Sequence, residues 1–272
     1  MFQDARDFQI CFLSLFLALG IWLKDWTLRP DVILSAIATC LLVQSLASLL
    51  QSQPEERFAW IGSLRSALIT SLSLSLLLRT EHWYTMSFAA TVAILSKFLI
   101  RVNHKHLFNP ANAGIIAALV LTHDAWVSPG QWGEVGWYAI AFIGAGGIVL
   151  GRVGRWDTSV MFLATYSGLM LIRDYWLGWS WDVAVHHLIS GSLLLFALFM
   201  ITDPRSIPDA RPSRMIWAAC VAGLTFVLQT VFIVPIAVFW SLFCLAPLTP
   251  LLDWAWNTQR FQWKKTVEPT PI

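Results

Sequence analysis

"HLFNPANAGIIAALVL", residues 106–121, sets an Asn-Pro pair at the front of an unbroken apolar run. Asn is a favoured N-cap because its side-chain oxygen accepts from an N–H that the first helical turn leaves unpaired. Pro suits the first helical position, where its fixed φ is already helical and its missing N–H is not needed. A capped helix therefore begins at Pro110, and its apolar body reads as a membrane span. Just before it lies "KFLIRVNHKH" (97–106), which brings Lys97, Arg101, His104, Lys105 and His106 close to the cap. A helix start carries partial positive charge and free donors. With those side chains it makes a site for an anion or a hydrogen-bonding ring. Leu107 and Phe108 place the cap below headgroup level. The competing reading is a plain capped helix behind a basic loop. His104 and His106 have no acidic or Cys neighbour in the stretch, so no metal site is expected.

The rest of the chain fits a membrane setting. Of 272 residues, 57% are hydrophobic and only 12% charged, and the mean hydropathy is +0.64. A soluble domain carries about 25% charged residues, so this chain lacks the means to cover a water-facing surface. Its 16 Trp suit the membrane–water interface, where most of them and His82 and His123 are expected. Cys11, Cys40, Cys220 and Cys244 lie in apolar runs with no ligand spacing and read as small buried side chains.

A spanning helix needs about 20 apolar residues. Ten segments approach this: 8–23, 31–50, 61–78, 83–100, 110–127, 136–151, 158–172, 184–201, 213–230 and 231–250. The expected fold is an all-α integral membrane protein with one polytopic domain over 1–256 and a frayed tail over 257–272. The first segment lacks a basic leader and a small-residue cleavage site, so it reads as a retained helix. Lys and Arg set the orientation. With the N-terminus inside, 13 of them fall in cytoplasmic segments and 4 in outside loops, with Arg65 inside the third segment near its cytoplasmic end. Both termini are expected in the cytoplasm.

Three further stretches hold candidate chemistry. "MITDPRSIPDARPSR" (200–214) places Thr202, Asp203, Pro204 and Arg205 at a proline-punctuated turn on the same membrane face as the Asn109 cap. It reads either as a rigid surface loop or as a wall beside the cap, with Asp203 pairing Arg205 or Arg101. "GSLRSALITSLSLSLLL" (62–78) puts Arg65 about one turn into a helix rich in small hydroxyls. Arg65 then snorkels to the interface or faces a ligand. "FIGAGGIVLGRVGRWD" (142–157) has no βαβ context for a dinucleotide site. Gly144, Gly147 and Gly151 are expected to permit close helix packing. His186 and His187 are adjacent in a helix and point too far apart to share a ligand. No acidic residue lies in the middle of an apolar run, which speaks against a carboxylate-centred pump.

"LFNPANAG", "SALITSLSLSLLL" and "FMITDPRSIP", in their positions along the chain, resemble one family over roughly residues 60–250. It is the membrane subunit shared by the sodium-pumping NADH:quinone reductase (NqrB) and the Rnf electron-transport complex (RnfD). The resemblance implies two inverted five-helix halves, similar to urea and ammonium channels. It also implies flavin-mediated electron transport in the bacterial plasma (inner) membrane. It places riboflavin near Asn109, with His106 standing where the family has a second asparagine. The family attaches FMN to the threonine of an S-G-A-T motif. Here "LTHDAWVSPGQWGEVG" (121–136) gives neither Thr122 nor Ser128 those neighbours, so a non-covalent flavin, riboflavin or FMN, is expected and covalent FMN is not.

The expected cofactor-contacting residues are Asn109, Pro110, Asn112 and His106 around the cap. The cations Lys97, Arg101 and Arg65 and the turn residues Thr202, Asp203 and Arg205 join them. No catalytic residue and no metal ligand is expected. Expected surroundings are membrane lipids and other electron-transport subunits, with no nucleic acid. Two other readings stay open at this point: a channel or transporter for a small solute or flavin, and an assembly subunit without chemistry of its own. Whether the chain is itself an enzyme is left open.

Overall fold

The computed structural model describes residues 4–23, 29–51, 59–128, 132, 136–180 and 190–263. The described chain is mostly helical. Its first half holds α1 (Ala5–Leu23), α2 (Pro30–Gln51), α3 (Ala59–Leu77), α4 (Trp83–Leu99) and α5 (Pro110–Leu121). The second half holds α6 (Gly136–Val153), α7 (Trp156–Trp176), α8 (Gly191–Met200), α9 (Arg211–Thr230), α10 (Ala237–Leu245) and α11 (Leu248–Ala255). Four strands of two or three residues join them: β1 (Leu78–Thr80), β2 (Arg101–Val102), β3 (Lys105–His106) and β4 (Ala125–Val127). By length and composition α1, α2 and α9 can each cross a membrane, and α10 with α11, bent by 48°, form a fourth candidate.

Helix α2 faces inward with its smaller side chains and outward with leucines. On α2 the buried positions are Val32, Ala36, Cys40 and Gln44, spaced by four, while Leu34, Leu42, Leu46 and Leu49 are exposed. A soluble helix does the reverse. In lipid, Leu outside costs nothing, and small residues inside let backbones approach. Gly114 of α5 shows how close: a Cβ there would stand 2.5 Å from the Ala89 carbonyl oxygen and 2.9 Å from Ala93 Cβ of α4.

Contacts sort the connections into two ends of the bundle. At one end Arg65 meets Asp7 at 2.7 Å, and Lys105 meets both Asp209 and Asp253. At the other end β1 pairs antiparallel with β4, Arg29 donates to the Glu81 carbonyl, and Asp124 accepts from Thr85 and the His82 N–H. There burial raises the Asp124 carboxyl, but the Thr85 and His82 hydrogen bonds outweigh it and hold the group below its ordinary value.

Several expectations need correction. The segments 61–78 and 110–127 run past the helices they contain, because Leu78 and residues 125–127 pair with each other as β1 and β4. The segment 231–250 is not one helix. Residues 231–236 form an exposed apolar turn, with Ile233 at φ +55°, before α10 and α11. The eighth segment is helical from Gly191, and residues Phe196–Met200 are π-helical. Residues 184–189, with His186 and His187, lie outside the described residues. Gly144, Gly147 and Gly151 have open space beside them, and close contacts fall instead at Gly114, Gly146 and Gly191. Gly146 stands against Leu198, and Gly191 against Trp132. Cys40 is buried, but Cys11, Cys220 and Cys244 are exposed on outer faces. Trp132 and Trp217 are core residues rather than interfacial ones. The tail is docked as far as it is described: the Phe261 N–H donates to Asp209 Oδ1, and the Arg6 guanidinium lies 4.7 Å from the Trp263 ring.

Candidate ligand cleft

The cleft is built on the start of α5. Asn109 is its N-cap, and its Oδ1 accepts from the Asn112 N–H at 3.1 Å. Pro110 takes the first helical position. The Asn109 Nδ2 donates to the Met200 carbonyl at 3.0 Å. That carbonyl sits at the end of the π turn Phe196–Met200. One amide thus caps a helix and ties it to the other half of the chain. Phe108 stacks on Phe243 of α10 at 4.5 Å, and Asn112 Nδ2 donates to the Phe239 carbonyl at 3.1 Å. These contacts fix the start of α5 against α10.

A tight hairpin delivers His106. Strands β2 and β3 are joined by Asn103 and His104, both at positive φ, 52° and 64°. Two such central residues make the turn that matches strand twist, and Asn is among the non-glycine residues that tolerate it best. His106 is buried, and its Nε2 stands 3.1 Å from Asp203 Oδ2. Asp203 Oδ1 accepts from the Arg205 N–H, which closes the 202–205 turn. Burial raises the Asp203 carboxyl, but the His106 ring and Arg205 outweigh it and leave the group below the ordinary carboxylate value. Asp203 therefore pairs His106, not Arg101.

Between these elements lies a cavity of about 70 Å³. His106, Asn109, Pro110, Thr202, Asp203 and Arg205 all line it. Across from them α3 presents Ser66, Thr70 and Ser73, and α1 presents Arg6 and Gln9. Ser66, Thr70 and Ser73 carried a legible signal, since spacings of four and three put them on one helix face. Arg6, Gln9 and Trp263 carried none.

Four expected residues do not line the cavity. Arg65 pairs Asp7 and is half-exposed. Arg101 is exposed over the Phe98 ring, with its Nε on the Lys97 carbonyl. Asn112 is fully buried one turn inside α5, with Oδ1 unpaired. Lys97 is buried behind Ser66, donating to its Oγ at 3.1 Å and its carbonyl at 3.4 Å. Thr122, considered for covalent attachment, caps the opposite end of α5, with its hydroxyl on the Ala118 carbonyl. That is about 18 Å from the cleft, at 1.5 Å per residue. Among the described residues no group of His, Cys, Asp or Glu is arranged to hold a metal ion.

Residues 117–262 match the family model described as the NQR2, RnfD, RnfE family. The family match bears on the 202–205 side of the cleft, and the Asn109 cap lies before it. Among individual relatives, the RnfD protein of an ion-translocating oxidoreductase complex from Tolumonas auensis is 29% identical over 135 residues, 49% of this chain and 36% of that one. Its counterpart from Stutzerimonas stutzeri is 34% identical over 107 residues, 38% of this chain and 29% of that one. A third, from Pseudomonas aeruginosa, is 24% identical over 275 residues, 77% of this chain and 78% of that one. The first two matches thus span about a third of those relatives' length. The family match covers more than half of this chain and takes in the 202–205 turn, α9, α10 and the docked tail: the chain belongs to the NQR2, RnfD, RnfE family.

Proposed function

We propose that this chain is a membrane subunit of an ion-translocating electron-transport complex and that the cleft at the start of α5 takes the polar edge of a non-covalently bound flavin. One observation carries the reading. Two segments 97 positions apart meet through His106 and Asp203 and turn a helix N-terminus, hydroxyls and Arg205 onto one buried space. The family membership and the relatives' shared name supply the class of complex.

The packing supports two related five-helix halves. Helix α2 packs on α4 as α7 packs on α9, α4 on α5 as α9 on α10, and α1 on α3 as α6 on α8. Helices α5 and α10, of 12 and 9 residues, are both too short to span. They meet through Asn112 and Phe239. Interrupted helices that meet at mid-depth are where inverted-repeat membrane proteins place their sites. Among the described residues Arg6, Arg65, Lys105, Arg155 and Arg205 gather at the cleft's end of the bundle, which supports a cytoplasmic side for that end, with both termini, in a bacterial plasma membrane.

The residues fit a flavin's polar edge in kind. The α5 start offers the Ala111 N–H, Ser66 and Thr70 offer hydroxyls, and Arg205 offers a cation. In size, about 70 Å³ is below the 300–1,000 Å³ of pockets that enclose a whole ligand. The cleft therefore takes an edge, and the rest of the group lies outside it. A bound flavin supplies the electron chemistry, while the chain orients it and keeps water away. Asn109 spends both ends of its amide inside the protein. It shapes the cleft rather than touching the ring.

The test is the visible spectrum of the protein purified in mild detergent, before and after acid precipitation. Flavin bands that leave with the supernatant support the reading. Flavin retained in the pellet places the attachment elsewhere in the chain. A colourless protein that also binds no added riboflavin overturns it and turns attention to solute flux.

A further inference from the structure

Lys97 is a buried amine in the last turn of α4, with no carboxylate among its hydrogen-bond partners. It is 7% exposed. Its Nζ has three partners: Ser66 Oγ at 3.1 Å, the Ser66 carbonyl at 3.4 Å and Gln44 Oε1 at 3.4 Å. All three are neutral, and among the described residues no ion pair reaches it. A lysine in the last turn of a membrane helix usually snorkels to the interface; this one turns inward, where a charged amine costs desolvation. If this position only filled space, Met or Leu would fill it at no such cost.

The three partners suit both protonation states. An ammonium donates to all three. A neutral amine donates to the two carbonyl-type oxygens and accepts from the Ser66 hydroxyl. A proton can therefore come and go without leaving a buried polar atom unpaired. The site is also braced. Gln44 Nε2 donates to Ser48 Oγ at 3.1 Å, and Ser48 Oγ lies 3.2 Å from Ser63 Oγ. This file across α2 and α3 holds Gln44 in place. Ser66 itself lines the cleft, so one residue separates Lys97 from whatever binds there.

We propose that Lys97 is the proton-coupling residue of the cleft: it binds a proton when negative charge enters the space on the far side of Ser66. The proton comes from solvent, and the charge is that of the bound group. The inference rests on the reading of the cleft as a site whose ligand changes charge. Other groups that face Lys97 are few. They are the Cys40 thiol on α2, and Asp203 and Arg205 in the turn after α8. Asp203 is already committed to His106. Arg101, in β2 just past α4, binds the Lys97 carbonyl, and Arg65 on α3 is held by Asp7.

The experiment uses the full chain in mild detergent, loaded with riboflavin and titrated with dithionite at several pH values. Over the range where Lys97 titrates, the wild type should take up one more proton per two electrons than Lys97→Met. That is a tenfold larger change in the reduced-over-oxidised affinity ratio per pH unit, or about 30 mV. Equal slopes in the two proteins overturn the proposal. A merely structural lysine would not alter the slope. NMR of lysine-labelled protein gives a second readout, since the chain has five lysines: Lys24, Lys97, Lys105, Lys264 and Lys265. If the wild type binds no riboflavin, the functional reading fails, and the NMR titration alone decides for Lys97. A Lys97 resonance that titrates apart from the other four supports its role, and one that moves with them or never titrates overturns it. If Lys97→Met does not fold, Ser66→Ala takes its place. A shallower slope and a displaced Lys97 titration support the proposal, and an unchanged pair overturns it.

Discussion

His106 and Asp203 stand 97 positions apart in the chain and 3.1 Å apart in space. Their contact joins the hairpin before α5 to the turn after α8. Everything else in the cleft is arranged around that joint.

Asp203 carries a pH signature. Its folded carboxyl sits below the ordinary 3.8 because His106 and Arg205 outweigh its burial. A depressed carboxyl stabilises the fold above its unfolded value and loses that contribution as pH falls through the folded one. Asp203→Asn should therefore lower stability at pH 7 by about 1 kcal/mol, discounted for partial exposure. The gap between the two proteins should close below pH 3.8. Thermal melts in detergent at neutral and acid pH measure both.

Asn109 has two separable jobs. Losing a cap costs about 1 kcal/mol, and leaving the Met200 carbonyl without its donor costs at least as much again. Asn109→Ala should lose about 2–3 kcal/mol, the sum of those two costs. Asn109→Ser keeps a cap and loses only the tie, so it should fall about midway. Equal losses in the two variants would mean that the tie, not the cap, supplies the stability.

Two glycines predict opposite outcomes. Gly114→Ala pushes a methyl to 2.5 Å from the Ala89 carbonyl oxygen, so α4 and α5 must part. The expected loss is about 1–3 kcal/mol. Gly144→Ala meets nothing within 4 Å and should be neutral within about 0.5 kcal/mol. Side-by-side thermal melts decide this pair.

The start of α9 holds a buried ion pair. Arg214 Nη2 lies 2.6 Å from Asp157 Oδ2, and both side chains are 5% exposed. Removing one partner strands the other charge, so Arg214→Met should cost about 3 kcal/mol. Arg211 also approaches Asp157, at 3.5 Å, but is 62% exposed. Arg211→Met should cost under about 0.5 kcal/mol. A double-mutant cycle with Asp157→Asn isolates the buried pair.

Much of the cleft was legible in single residues. The Asn109 cap with Pro110 follows from local backbone chemistry and needs no tertiary context. The meeting of the Asn109 and Thr202–Arg205 stretches followed from counting spans, because both fall on one membrane face. The roles inside the cleft were not legible. Arg65 and Lys97 look alike in sequence, each a cation near a helix end. Only packing gave Arg65 the carboxylate of Asp7 and left Lys97 with neutral oxygens. The strands β1 and β4 were hidden for a similar reason. Each is three residues long, too short for an alternating pattern, and each continues an apolar helical run.

The sequence by itself determined the class of protein, because composition and apolar run length answer to the solvent and not to the neighbours. It also determined where α5 starts, because a cap is made by residues within one turn. Tertiary structure alone decided which glycines are tight, which cations are paired, and that Asp203 turns to the His106 ring and not to Arg101. Those outcomes depend on which surfaces meet across about a hundred residues of chain. Local propensity carries no record of that distance.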